Sequence, residues 1–170
     1  MSMNNFLSIQ NLTFAYPLTT EPLFESVSFQ LGPGWTGIVG ANGSGKTTLL
    51  KLLCGILQPD SGSMTPSLIS YYCEQRTETP PQQTSEFITS YDKSGYNIKE
   101  QLQIEDNWFD RWESLSHGER KRCQIGTALF LAPDLLALDE PTNHLDSRSR
   151  RILVNALGQY RGIGRLVSHD

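Results

Sequence analysis

An eight-residue glycine-rich segment, GANGSGKT at 40–47, carries the residue types that phosphate binding requires. Backbone N–H groups can point together at phosphate oxygens only where the chain turns tightly, and glycine permits such turns. Glycines stand at three positions of the segment, Gly40, Gly43 and Gly45. Lys46 is long enough to reach the outer phosphate oxygens, and the Thr47 hydroxyl is a ligand for Mg²⁺. The spacing predicts a binding loop for ATP and Mg²⁺.

The residues around this loop have the periodicities that it needs. A short apolar run, TGIVG at 36–40, is typical of a strand, and apolar residues recur at helical spacing over 46–57. The N-terminus of such a helix would add unpaired N–H groups and a partial positive charge beside the phosphates. We expect the helix to end near Gln58, because the PDSG segment at 59–62 combines proline with turn-forming residues.

Two adjacent acids, Asp139 and Glu140, follow the apolar run LLAL at 135–138. A continuous apolar run predicts a strand buried on both faces of a parallel sheet, so both carboxylates should lie at the carboxyl end of a central strand. One carboxylate can hold the metal, and the other can orient or deprotonate an attacking water molecule. Adjacent acids are common by chance, but the phosphate loop upstream favours the catalytic interpretation.

The segment LSHGE at 115–119 predicts the start of a helix, because Ser116 and Glu119 have the spacing of a capping box. A helix N-terminus with free N–H groups can also bind phosphate, so the two roles are compatible. Asp146 can cap a further helix, which carries the apolar residues Ile152, Leu153, Ala156 and Leu157. Alternating apolar runs near Phe6–Phe14 and 27–31 predict strands. Strands that alternate with helices later in the chain indicate an α/β sheet.

Composition excludes some classes of protein. The chain has 170 residues and a net charge of −4, so no overall basic excess indicates a binder of nucleic acid or membrane surfaces. Two basic clusters, RKR at 120–122 and RSRR at 148–151, are explained by solvated helix faces or by contact with RNA phosphate. There is no membrane-spanning apolar run and no export signal, which predicts a cytoplasmic protein. Three widely spaced cysteines, Cys54, Cys73 and Cys123, are typical of reduced thiols.

The ordered motifs resemble the nucleotide-binding domain of the ATP-binding cassette (ABC) superfamily. The likeness covers 7–170 and rests on the phosphate loop, Gln75, LSHGE, LLALDE with the PTNHLD segment that follows, and His169. It implies a P-loop NTPase with a central, mostly parallel sheet flanked by helices. An N-terminal antiparallel β subdomain and a short helical subdomain over 76–114 complete that fold. We expect 1–170 to be a single domain that ends just after the histidine loop.

The resemblance assigns roles to individual residues. Nucleotide binding falls to Tyr16, Gly40, Asn42, Gly43, Ser44, Gly45, Lys46, Thr47 and Thr48, with adenine stacked on Tyr16, although Phe14 and Tyr16 could instead both be core residues. The metal would be held by Thr47, Gln75 and Asp139, and catalysis would use Glu140, Gln75 and His169. In this family the LSGGQ-type segment of one cassette caps ATP bound by another, so Ser116 and Gly118 would contact a partner's γ-phosphate. Here His117 replaces the usual glycine, and Glu119 replaces the usual glutamine.

The wording of PTNHLD and LSHGE is most similar to the first cassette of ABC-F proteins, which carry two cassettes on one polypeptide and act on ribosomes. The implied partners are a second cassette and the ribosome. The alternative is the motor subunit of a transporter, whose partner is a membrane permease. Only 39 residues separate Gln75 from Leu115, which leaves no room for the long insertions of DNA-repair or chromosome-maintenance ATPases.

Overall fold

The computed structural model describes residues 6–167, which form two compact units. One, here called the sheet unit, contains the described residues up to Tyr72, Pro133–Asp139, and those from Arg161 onward. The other, the helical unit, contains Cys73–Ala132 and Glu140–Tyr160. The chain therefore crosses between the units several times, once directly between the adjacent acids Asp139 and Glu140.

The strands are β1 (Leu7–Phe14), β2 (Phe24–Leu31), β3 (Gly34–Ile38), β4 (Ser61–Thr65), β5 (Ser70–Cys73), β6 (Leu135–Asp139) and β7 (Ile163–Val167). The helices are α1 (Lys46–Leu53), α2 (Thr84–Thr89), α3 (Lys93–Leu102), α4 (His117–Leu131) and α5 (Ser147–Leu157), and a short 3-10 helix spans Trp112–Ser114.

A three-stranded antiparallel sheet has the order β2-β1-β4, and its register pairs Leu7 with Leu31 and Ile9 with Met64. Apolar residues that alternate along β1 are buried, as the period of two in the sequence predicts. The predicted N-terminal antiparallel β subdomain is confirmed. β4 was missed, because its sequence SGSMT has little apolar content and follows a proline-containing turn.

The second sheet has the order β3-β7-β6-β5, and β3, β7 and β6 run parallel. The register pairs both Ile38 of β3 and Asp139 of β6 with Val167 of β7. Three strands therefore end at the same edge of the sheet. The glycine-rich loop leaves β3 at this edge, and Asp139 ends β6 there. β6 is an interior strand and all five of its residues are buried, so the predicted central parallel strand is confirmed.

The core of the sheet unit joins both sheets to α1. Its buried members are Leu7, Ile9, Leu12, Phe14, Leu31, Leu52, Leu53, Leu135 and Ile163. α1 also packs on β6 and β7, where Leu50 forms a second buried cluster with Ala137 and Val167. α1 ends at Leu53 rather than near Gln58, because Gly55 takes a left-handed φ of 69° and breaks the helical repeat.

In the helical unit, α4 packs against α2, α3 and α5. Its first turn carries the predicted capping box, in which Ser116 Oγ accepts from the Glu119 N–H and Glu119 Oε2 accepts from the Ser116 N–H. Asp146 caps α5 by accepting from the N–H groups of Arg148 and Ser149. Lys121 corrects the expectation of a solvated basic face, since it is fully buried, whereas the arginines of RSRR are exposed.

The three cysteines form no disulfide: Cys54 is half-buried, and Cys73 and Cys123 are buried. Burial raises the pKa of Cys54 and Cys123 to about 12, so both thiols are protonated at neutral pH. They behave as small apolar residues in their surroundings.

The core cluster predicts the effect of a large-to-small substitution. Leu135 is fully buried between strands and α1, so we expect Leu135→Ala to lower the free energy of unfolding by about 2–5 kcal/mol. The matched control is Leu18→Ala, which removes the same atoms from a fully exposed side chain and should change stability by less than about 0.5 kcal/mol. Urea denaturation monitored by circular dichroism measures both, and equal effects would contradict the assigned core.

Candidate nucleotide and metal site

The glycine-rich loop takes a conformation that only glycine adopts without strain. Gly43 and Gly45 have φ values of 80° and 90°, in the left-handed region. At Gly45 a Cβ would also lie 2.9 Å from Phe24 Cζ, and at Gly40 it would lie 2.8 Å from Ser44 Oγ. The loop therefore curls tightly with its backbone exposed along Ala41–Ser44, as a phosphate-binding loop requires.

Lys46 lies inside this curl. Its side chain is largely buried, and its Nζ donates to the backbone oxygens of Gly40, at 2.8 Å, and Ala41, at 3.0 Å. A buried ammonium needs such acceptors, so the loop and the lysine stabilise each other. α1 begins at Lys46 after Gly45, and no side chain of the described residues caps this helix end. The first-turn N–H groups are thus available to an anion.

Three oxygen-bearing side chains meet at the edge of the sheet. Asp139 Oδ2 accepts a hydrogen bond from Thr47 Oγ1 at 2.8 Å and another from the Tyr72 hydroxyl, also at 2.8 Å. The Asp139 carboxylate is buried. A carboxylate beside a threonine hydroxyl at the start of the loop helix is the kind of oxygen donor set that Mg²⁺ accepts, so these residues fit the ion.

Tyr72 is a site residue that the sequence analysis missed. It lies one residue before the end of β5, where its hydroxyl reaches the strand-end carboxylate of β6. A position near a strand end, close in sequence to Gln75, was the available signal. Nothing in the sequence indicated which of the adjacent tyrosines would point towards Asp139.

Tyr16 and Phe14 have different environments. Phe14 is buried in the core, whereas Tyr16 leaves 43% of its surface exposed and packs edge-on to Phe14 with ring centroids 5.0 Å apart. The Tyr16 hydroxyl is 2.8 Å from Thr48 Oγ1, near the start of α1. The ring is thus held beside the loop helix with one face open. Its role in adenine stacking stays a prediction, as do the roles of the exposed loop residues Asn42 and Ser44.

Glu140 follows β6 directly and belongs to the helical unit. The residue is 8% exposed, and its backbone has a φ of 50°, a left-handed conformation that non-glycine residues seldom adopt. Its carbonyl accepts from the Asn143 N–H at 3.2 Å. A strained conformation at a buried acid is typical of functional positions, where the surrounding structure compensates its cost.

Three further candidates, Gln75, Ser116 and Gly118, lie in the helical unit. Ser116 is exposed at the start of α4, and a Cβ at Gly118 would lie 2.9 Å from Ser149 Oγ, which accounts for glycine there. Gln75 is exposed, and its backbone oxygen accepts from Lys121 Nζ at 3.0 Å. His169 lies outside the described residues. Within the sheet unit, the structure brings two pairs of candidates together: Tyr16 contacts Thr48, and Thr47 contacts Asp139.

Comparison with known proteins shows the family. Residues 24–143 match the ABC transporter family, and the chain belongs to it. The chain is 36% identical over 175 residues to the ribosome protection protein VmlR of Bacillus subtilis, covering 97% of this chain and 31% of VmlR. It is 34% identical over 179 residues to the energy-dependent translational throttle protein EttA of Haemophilus influenzae, covering 96% of this chain and 32% of EttA. The predicted resemblance to an ABC cassette of the ABC-F type is confirmed.

The solved structures agree on the fold. The ATP-binding subunit of an ABC transporter matches with a TM-score of 0.77 at 20% identity, over 96% of this chain and 79% of that one. The P-loop fold class is confirmed. The chain spans about a third of the length of the curated relatives named above. Among residues 6–167, no helix is long and apolar enough to cross a membrane.

The contacts of Asp139 generate a prediction for Tyr72→Phe. This substitution keeps the ring and removes one of the two hydroxyls that orient the carboxylate. Because groups that orient a metal ligand typically affect metal affinity by 10- to 100-fold, we expect apparent Mg²⁺ affinity in the presence of nucleotide to fall roughly tenfold. Titration of a fluorescent ATP analogue with Mg²⁺ measures it. Tyr91→Phe, which alters a fully exposed tyrosine, is the control, and equal Mg²⁺ affinity in both variants would contradict this role.

Proposed function

We propose that the chain is an ATP-hydrolysing cassette that works head to tail with a second cassette. The observation that carries this proposal is the contact between Thr47 and Asp139, at 2.8 Å, beside a glycine loop of the phosphate-binding type. The family match and Glu140, directly after Asp139, support hydrolysis rather than binding alone.

The nucleotide is held by residues of the sheet unit. Loop N–H groups and the first turn of α1 receive the phosphates, and Lys46 exchanges its loop carbonyls for phosphate oxygens. The Tyr16 ring stacks on the adenine. Thr47 and Asp139 would hold Mg²⁺, Gln75 would add a further ligand, and Tyr72 orients Asp139. When bound, Mg²⁺ offsets the negative charge that develops on the phosphoryl oxygens.

Glu140 acts as the general base. Its carboxylate takes a proton from the attacking water, while Gln75 and His169 contact that water and the γ-phosphate. Burial of the Glu140 side chain and its strained backbone support a fixed orientation. A fixed carboxylate lowers the barrier because less reorganisation is needed at the moment of reaction.

The second cassette completes the site. Ser116 and Gly118 stand at the N-terminus of α4, where Ser116 is exposed and free backbone donors remain for an anion. This tip contacts the γ-phosphate bound by the partner, and the partner's equivalent segment contacts the nucleotide of this chain. ATP therefore joins the two cassettes, and hydrolysis separates them.

The cellular role proposed is that of an ABC-F-like cytoplasmic protein acting on the ribosome. The names of VmlR and EttA, which refer to ribosome protection and to translation, support it. The exposed arginines of the RSRR segment in α5 could contact RNA phosphate. The second candidate is the motor subunit of a membrane transporter, which the match to the ABC transporter family favours.

Glu140→Gln separates binding from hydrolysis. The amide keeps the shape of the side chain but cannot accept the proton, so we expect kcat to fall by at least about 10²-fold while ATP-dependent association of cassettes persists. Phosphate release and size-exclusion chromatography with ATP measure the two effects. Lys46→Ala is the control that should lose nucleotide affinity itself. Wild-type turnover by Glu140→Gln would remove Glu140 as the base.

The ribosomal role predicts that the intact Glu140→Gln protein sediments with ribosomes in ATP and not without it. Retained ATP holds the cassettes together, which should prolong the bound state. Sucrose-gradient centrifugation of purified ribosomes with this variant measures it, and added salt should weaken any phosphate contact. Co-purification with a membrane permease, and no ribosome binding, would favour the transporter instead.

A further inference from the structure

The backbone around Gln75 is bonded to the first turns of α4. Lys121 is fully buried, and its Nζ donates to the carbonyls of Glu74 at 2.9 Å and Gln75 at 3.0 Å, and to Gln124 Oε1 at 2.8 Å. Gln124 Nε2 in turn donates to the Glu74 carbonyl at 3.2 Å. A buried ammonium is tolerated only with such acceptors, so α4 and the segment 74–75 are strongly coupled.

Trp112, which precedes α4, binds the residues that follow Gln75. Trp112 Nε1 donates to the carbonyls of Thr77, at 3.2 Å, and Glu78, at 3.1 Å. The stretch 112–124 therefore binds most carbonyls of the segment 74–78, here called the Gln75 segment. These donors bind backbone oxygens, and they restrain where the segment lies rather than which side chains it carries.

His117 adds a contact that glycine cannot make. Its Nδ1 lies 3.5 Å from the hydroxyl of buried Thr77. The ring also meets His144 edge-on, with centroids 6.1 Å apart. One side chain at the start of α4 thus joins the Gln75 segment to the loop 141–146, which follows Glu140. All of these groups lie within the helical unit.

The charges around His117 favour its neutral form. Partial desolvation lowers the pKa of this exposed imidazole below the usual range, the neighbouring Lys121, His144 and Arg120 lower it further, and the backbone of Asn143 opposes them. A neutral imidazole has one donor and one acceptor nitrogen. Its Nδ1 can therefore accept from the Thr77 hydroxyl.

We propose that His117 is a positioning residue that ties the Gln75 segment and the 141–146 loop to the tip of α4. Its contacts with Thr77 and His144 make the segments that carry Gln75, Ser116 and Glu140 respond together. This role rests on the proposed function of those three residues. It accounts for histidine at a position where the family resemblance implies glycine.

The first test measures the contacts directly. In His117→Gly, the Gln75 segment and the loop 141–146 lose a shared restraint, so we expect their amide hydrogen exchange to rise roughly two- to tenfold, the equivalent of one lost hydrogen bond. His117→Gln, which keeps a donor and an acceptor, should restore part of the protection. Arg150→Ala, at an exposed position of α5, is the matched control. Unchanged exchange in His117→Gly would overturn the proposal.

The second test measures coupling in the intact protein by ATP hydrolysis. We expect His117→Ala and Thr77→Val each to lower kcat roughly three- to tenfold with little change in the KM for ATP, because the glycine loop is untouched. The double variant should be no worse than the more severe single variant, and Thr77→Ser, which keeps the hydroxyl, should retain activity. Effects that multiply independently would overturn the coupling. If the wild-type protein hydrolyses no ATP, the proposed function fails, and hydrogen exchange alone then decides the role of His117.

Discussion

The candidate nucleotide site depends on the parallel register of β3, β7 and β6. Because Ile38 and Asp139 both pair with Val167, the strand that feeds the glycine loop and the strand that ends in the carboxylate stop at the same edge. Thr47 can then reach Asp139 at 2.8 Å from the first turn of α1. A shift of one residue in β6 would turn Asp139 to the opposite face, and the proposed metal ligands Thr47 and Asp139 would separate.

Two buried lysines in different parts of the chain both satisfy their ammonium groups by donating to backbone carbonyls. Lys46 donates to two carbonyls of the glycine loop, and Lys121 donates to two carbonyls near Gln75. In each case an ammonium that has lost water organises backbone that carries proposed site residues. In the proposed function, Lys46 exchanges these bonds for phosphate oxygens. Lys121 is fully buried and restrains the backbone of the Gln75 segment. His117 adds a contact to Thr77 of the same segment.

Several elements were predictable because their signals are local. The capping box of Ser116 and Glu119, the cap at Asp146 and the buried run of β6 need only a few neighbouring residues, and all appear in the structure. The end of α1 was wrong by several residues, because Gly55 interrupts a pattern whose apolar spacing continues. The burial of Lys121 was also missed, since three basic residues in a row give no sign of which one faces inward.

The resemblance of the ordered motifs to ABC cassettes predicted the P-loop fold. The residues themselves predicted a loop for triphosphate and two acids at the end of a buried strand. Those features depend on glycine flexibility, periodicity and residue chemistry, which the residues carry wherever they lie. The folded chain alone established that Tyr16 is partly exposed while Phe14 lies in the core. It also established that Tyr72 joins Thr47 at Asp139 and that His117 links Thr77 to His144. These contacts join residues far apart in sequence, so they follow from strand register and helix packing rather than from any local pattern.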